Sequence, residues 1–148
     1  MAAISVEDRL AIEDLYADYA WALDSGDVPG FLALFTPDGL FGDTAGNRYK
    51  GHAAISGYVT ELVTSPRFKG RMHYISAKRF TAQDGGRIGV TSYWLVTKWA
   101  KATGAKTVEV SGHADDAFVK VGGRWLFSQR IVHYWNDTEL PWAIPAKS

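Results

Sequence analysis

Apolar residues recur at helical spacing in the first half of the chain and at every second residue in the last half. Ile12, Tyr16, Tyr19 and Leu23 fall at intervals of four, three and four, one stripe of an amphipathic helix. Ser5 ahead of Val6-Glu7-Asp8 has the form of an N-cap with acids in the first turn. These signals predict a helix over 6–24, stopped at Gly26. Asp27 with Pro29 starts a second short helix, 28–35, which the turn tetrad Thr36-Pro37-Asp38-Gly39 ends. Short strands follow over 40–43 and 48–50. A third helix is predicted over 52–63, with Ala53, Ile55, Val59, Leu62 and Val63 as its apolar set, and Ser65-Pro66 breaks it. Beyond Pro66 the period becomes two. Four strands are predicted, 71–83, 88–101, 106–121 and 124–135, with turns at Asp84-Gly85-Gly86, Ala102–Ala105 and Gly122-Gly123. His73, Ile75 and Ala77 share one face of the first of these strands. The apolar stretch 140–145 is irregular and is expected on a surface.

Helices first and hairpin-linked strands afterwards define an α+β fold, with helices on one face of a mostly antiparallel sheet. Strands longer than ten residues twist and curve. A curved sheet closed by helices forms a cone, and its interior is a place for a small ligand.

Composition narrows the possibilities. The chain has 148 residues, 47% hydrophobic and 14% aromatic, which suits one globular domain spanning 1–148. Sixteen basic residues balance sixteen acidic ones, so no net field favours nucleic acid or an anionic membrane. There is no cysteine, hence no disulfide framework or thiolate chemistry. No apolar run is long enough for a membrane span and no signal peptide is visible. A cytoplasmic protein is the expectation.

Several side chains carry candidate chemistry. Asp24 closes the first helix, where the macrodipole is negative, so its carboxylate needs a partner or water. A solvated helix end before Ser25-Gly26-Asp27 is the plain reading. His73 is the group titrating nearest neutral pH, on a strand face with Ile75. Asp116 has Ala114 and Phe118 on its own face and must be paired or protonated there. Whether Arg130 reaches it depends on the last hairpin. A two-residue Gly122-Gly123 loop sets Arg130 opposite Asp115, on the wrong face. A three-residue loop with a bulge sets it opposite Ala114, on the face of Asp116. Lys98 polarises a substrate oxygen if it points inward, although strand lysines are usually at the surface. The aromatics Tyr16, Tyr19, Phe41, Tyr58, Trp94 and Phe118 are core residues first, but some must line a cavity if there is one, and they suit a flat apolar or cyclic ligand. The four histidines are scattered without an i, i+4 pair, so no metal and no cofactor are expected.

The order of elements resembles the nuclear transport factor 2-like superfamily and its SnoaL-like branch. The likeness rests on Ile12-Glu13-Asp14-Leu15-Tyr16, Leu23-Asp24-Ser25-Gly26-Asp27, Leu34-Phe35-Thr36-Pro37-Asp38-Gly39, Met72-His73-Tyr74 and Gly122-Gly123-Arg124-Trp125. In site residues the chain is similar to scytalone dehydratase and hexachlorocyclohexane dehydrochlorinase. Both carry an aspartate at the end of the first helix and a histidine on the first long strand, matching Asp24 and His73. The resemblance implies a dyad in which Asp24 orients His73 as general base, the arrangement of hydrolase triads without the serine. Bile-acid 7α-dehydratase has a tyrosine five residues before its aspartate, which Tyr19 matches. The dehydrochlorinase implies an arginine in the pocket at Arg130.

There are departures. The second histidine of scytalone dehydratase has no counterpart in Val96-Thr97-Lys98-Trp99, and its asparagine corresponds roughly to Phe118. A ketosteroid isomerase likeness is also present, with Tyr19, Asp43 as base and Asp116 as a protonated donor. Asp43 in Gly42-Asp43-Thr44 equally suits a turn, and that likeness leaves His73 unexplained.

The reading is a cofactor-independent lyase, a dehydratase or related elimination catalyst, with Asp24, His73 and Tyr19 catalytic. Leu23, Phe41, Trp94, Asp116, Phe118 and Arg130 are the expected substrate contacts. The alternatives are an isomerase- or polyketide cyclase-like proton shuttle with Asp43 as base, and a non-catalytic binding or assembly module of the same fold. A small-molecule substrate and a homo-oligomer, trimer before dimer, complete the expectations.

Overall fold

The structure is a computed structural model that describes residues 3–135, so the stretch 140–145 lies outside the described residues. Helix α1 runs Val6–Ser25. Ser5 caps it by accepting from the Asp8 amide. Gly26, at φ 77°, ends it in the left-handed conformation that glycine adopts without penalty, and the Asp27 amide bonds back to the Ala22 carbonyl at 2.8 Å. Helix α2 spans Val28–Leu32, with the Asp27 carboxylate accepting from the Gly30 amide at 2.9 Å. Strands β1 (Phe35–Gly42) and β2 (Arg48–Lys50) precede helix α3 (Gly51–Thr64). Strands β3 (Arg71–Ala82), β4 (Ile88–Ala100), β5 (Ala105–Val121) and β6 (Arg124–Tyr134) complete the fold.

The six strands form one curved sheet in the order β2-β1-β6-β5-β4-β3. Every pairing is antiparallel except β1 with β6. The three helices pack over its concave face. Ile12, Tyr16, Tyr19 and Leu23 of α1 are all buried, as the helical stripe requires. They meet Phe31, Phe35, Phe118 and Phe127 in one aromatic core. Phe35 and Phe127 stack at 5.1 Å, and Tyr16 meets Phe118 edge-on at 5.5 Å.

Three expectations need correction. The second helix stops at Leu32 instead of 35, because Phe35 is already paired with Phe127 of β6. The tetrad Thr36–Gly39 is not a free turn. It is an irregularity inside β1, between the pairings Phe35↔Phe127 and Leu40↔Gln129, with Pro37 and Asp38 pushed into solvent. Alternation along β3 breaks after Ser76. Ala77 lies at φ 48° in a bulge and is exposed, and Lys78 takes the inward place.

Candidate functional site

A cavity of about 190 Å³ lies between the concave face of the sheet and helices α1 and α3. Its walls are largely apolar or aromatic, including Leu23, Phe41, Tyr58, Phe68, Trp94 and Val96. Trp94 enters the wall because residue 112 across the ladder is glycine. A Cβ on Gly112 would sit 2.6 Å from Trp94 Cζ2, closer than two carbons can approach. The Trp94 indole N–H donates to the His113 carbonyl at 2.9 Å, so its polar edge is satisfied.

His73 lines this cavity from β3, and Asp24 stands behind it at the end of α1. The His73 backbone N–H donates to Asp24 Oδ2 at 2.9 Å. The ring Nδ1 lies 2.5 Å from Asp24 Oδ1. A carboxylate accepts, so Nδ1 is the donor in this pair, and in the neutral ring the lone pair then falls to Nε2 on the opposite edge. The charge at the helix end that the sequence left in need of a partner is therefore met by two donors. Phe68 stacks on the imidazole at 5.8 Å and holds its plane.

Arg130 reaches the cavity from β6 and is only 1% exposed. Its Nη1 donates to Asp116 Oδ2 at 2.5 Å, and the Tyr16 hydroxyl donates to the same oxygen at 2.5 Å. Its guanidinium lies 4.4 Å from the centre of the Tyr19 ring, a cation–π contact in a dry setting. Arg130 Nε has no protein partner among the described residues. Burial pushes the Asp116 carboxyl up to about 6 against the downward pull of Arg130 and Tyr16. Burial also raises the Tyr19 and Tyr58 phenols, which stay neutral donors.

The path by which Arg130 comes to face Asp116 differs from both sequence alternatives. The hairpin has the two-residue Gly122-Gly123 loop, with both glycines at positive φ and Val121 opposite Arg124. The register then slips at Ser128, so Phe118↔Phe127 is followed by Ala117↔Gln129 and Asp116↔Arg130. A bulge within the strand, not at the turn, rotates Arg130 inward. The surface pair with Asp115 does not form.

Of the expected site residues, His73, Tyr19, Leu23, Phe41, Trp94 and Arg130 line the cavity. Asp24 and Asp116 stand one layer behind. Phe118 is not a substrate contact, because it is wholly buried against Phe127 and Tyr16. Lys98 donates to the Arg67 carbonyl at 2.8 Å and lies 3.6 Å from Glu109, outside the lining. The Asp43 carboxylate holds its own turn. It accepts from the amides of Ala45 and Asn47, from the Asn47 side chain and from the Tyr49 hydroxyl, and it does not line the cavity. Tyr58, one of the aromatics of which some were expected to line a cavity, does line it, whereas sequence reasoning did not include Phe68 and Arg71. Arg71 stands at β3's entry, paired with Glu109 at 2.7 Å. Its inward parity with His73 was the available signal. The histidines are also less scattered than expected, since His113 and His133 face each other across β5 and β6.

A helix-covered curved sheet enclosing a ring-lined cavity is the architecture of the cystatin-like, nuclear transport factor 2-like proteins. Residues 5–131 match the SnoaL-like domain, and the chain belongs to that family. Among solved structures, Aln2 from a Streptomyces species superposes with a TM-score of 0.80 at 25% identity, covering 90% of this chain and 94% of Aln2. A Nostoc punctiforme protein with a cystatin-like fold gives 0.79 at 23% identity, covering 95% and 98%. A candidate scytalone dehydratase from Novosphingobium aromaticivorans gives 0.75 at 23% identity, covering 88% and 86%. No curated protein matches the chain. Among the described residues no helix is long and apolar enough to cross a membrane.

Proposed function

We propose that the chain is a cofactor-independent lyase that eliminates water or a comparable leaving group from a small cyclic or aromatic-like molecule. The observation that carries the reading is the double engagement of Asp24 with the ring and the backbone amide of His73 at the cavity wall. A histidine held in one tautomer with its free nitrogen on a pocket edge is a general base in waiting. His73 Nε2 takes a proton from carbon next to the leaving group. The C–H electron pair becomes the new double bond, and the leaving group departs with its own bonding pair. Asp24 stabilises the imidazolium that forms, without itself taking the proton. Tyr19 donates to the substrate oxygen, and Arg130 receives negative charge on the leaving side. Donors and a base are what an elimination needs, and the ring-rich wall suits a flat substrate.

The isomerase alternative gains nothing from Asp43, whose carboxylate is spent on its own turn. The test is a thermal-shift screen with cyclic hydroxy-ketones, phenols and steroids, followed by turnover of whatever binds. His73→Ala is expected to lower turnover by about 10²–10⁴-fold, and Asp24→Asn by a large part of that, with folding intact. Loss of activity in Asp43→Asn with His73→Ala unaffected would establish the isomerase reading instead. Ligand binding with no turnover at all would point to a non-catalytic module.

A further inference from the structure

The outer face of the sheet, remote from the cavity, carries a cluster that the elimination reading does not use. His113 and Asp115 are two apart on β5 and so share a face, opposite to that of Asp116. The slip at Ser128 sets His133 directly across from His113. The two imidazoles stack at 4.4 Å with 9° between their planes. Asp115 Oδ2 lies 3.2 Å from His133 Nε2 and 3.9 Å from His113 Nε2. Thr91, opposite Asp115 on β4, donates to the other carboxylate oxygen at 3.1 Å and so turns Oδ2 toward the rings. One donor atom from each of the three residues falls within 4.8 Å of the others.

We propose that His113, Asp115 and His133 form a binding site for a first-row transition dication such as Zn²⁺, on the sheet face opposite the cavity. Two imidazoles and one carboxylate are the donor set that suits zinc, nickel or copper, whereas magnesium and calcium take oxygen donors. Bonds of about 2.0–2.1 Å put neighbouring ligand atoms of a tetrahedral site roughly 3.3 Å apart. The Asp115–His133 separation is already there, and small rotations of two partly exposed rings bring the third donor in. Thr91 then serves as the outer-shell partner of the carboxylate. Water completes the coordination on this open face.

One interaction opposes binding. The Trp135 indole N–H donates to His113 Nδ1 at 2.9 Å, which places the neutral ring's proton on Nε2. A metal on Nε2 moves that proton to Nδ1, where it meets the indole donor, so Trp135 must turn away. This loss weakens binding, and it links metal uptake to Trp135, the residue that follows β6.

The experiment is isothermal titration of the untagged chain with Zn²⁺, with Co²⁺ absorption and the Trp135 indole N–H resonance as spectroscopic readouts. One ion per chain is expected, with visible Co²⁺ bands of a four-coordinate site and a shift of the Trp135 indole signal. His133→Asn and Asp115→Asn, both at partly exposed positions, are expected to weaken binding by about tenfold or more with unchanged circular dichroism. No binding at millimolar Zn²⁺ overturns the proposal. So does wild-type affinity in both variants, which would place the ion elsewhere.

Discussion

Replacing Arg130 with methionine removes the cation from the cavity floor and leaves its carboxylate partner in place. Asp116 is 5% exposed, and its Oδ2 accepts from both Arg130 and Tyr16. Methionine keeps an unbranched apolar stem against Tyr19 and Phe127, so little packing is lost. What is lost is compensation of a buried charge, which costs about 3–5 kcal/mol. At about 2–4 °C per kcal/mol for a domain of this size, Tm falls by roughly 6–20 °C. The pH dependence carries the sign. Burial already raises the Asp116 carboxyl from 3.8 to about 6 while Arg130 pulls it down. Without the guanidinium it rises further. A group whose folded value lies above its ordinary one lends stability in full below the ordinary value, and that stability is lost as pH rises through the folded value. In the wild type this loss is complete not far above pH 6. In the variant it continues at up to about 1.4 kcal/mol per pH unit. The gap between the two proteins therefore widens from pH 6 to pH 8 in urea denaturation followed by tryptophan emission. A cost below about 1 kcal/mol, or a gap that narrows with pH, refutes the reasoning. Arg130→Met with Asp116→Leu buries no charge and should recover most of the loss. A double variant as unstable as the sum of the two single ones refutes it equally.

Three further outcomes follow from the same structure. Ala77→Gly relieves a left-handed conformation that costs an L-residue about 1–2 kcal/mol, against about 0.5–1 kcal/mol of added chain entropy, so thermal melting should show a small gain. Burial, then the neighbouring His133, hold His113 below its usual 6.5, so its contribution is present above pH 6.5 and lost as pH falls through the lowered value. In chelator-treated buffer His113→Gln should flatten the acid side of the stability curve, and an unchanged curve would contradict the assignment. Met72, Tyr74 and Trp99 are each nearly half exposed on the outer sheet face, and we propose that they join copies of the chain in a homo-oligomer, trimer before dimer. A monomer by light scattering at high micromolar concentration counts against this.

The helical stripe of α1 and the alternation of the long strands were legible because burial of one face imposes a period that residue types report directly. Asp24 and His73 each sit at a definable end or face of a regular element, but their pairing was implied by the resemblance to the dehydratase and the dehydrochlorinase, since periodicity alone leaves Asp24 a solvated helix end. What was not legible were departures from period. Nothing about Ser128 or Ala77 as residue types marks a bulge, yet one bulge turns Arg130 inward and the other replaces Ala77 by Lys78. The brevity of α2 has a similar cause. Thr36-Pro37-Asp38-Gly39 has turn chemistry, but pairing of Phe35 with Phe127 draws the tetrad into a strand. The meeting of His113 with His133 also depends on the Ser128 slip, which is why their distance along the chain concealed it.

On the proposed reading, the two aspartates account for how this cavity would serve proton removal. Asp24 and Asp116 both stand outside the lining, and each is bonded to a cationic or protonatable group that faces inward, His73 and Arg130. No carboxylate lines the cavity itself among the described residues. The polar side chains in its lining are those of Tyr19, Thr44, Tyr58, Tyr134, Arg71, Arg130 and His73. Apart from the imidazole nitrogen of His73, the candidate proton acceptors, the carboxylates of Asp24 and Asp116, lie behind the wall. If a base acts in this cavity, its position is therefore set by Asp24, and negative charge developing on the substrate is met by donors whose positions Tyr16 and Asp116 hold through Arg130. Chemistry that needs an acidic carboxyl on the substrate would have to displace one of these two aspartates from its partner, at a cost of several kcal/mol for the buried one.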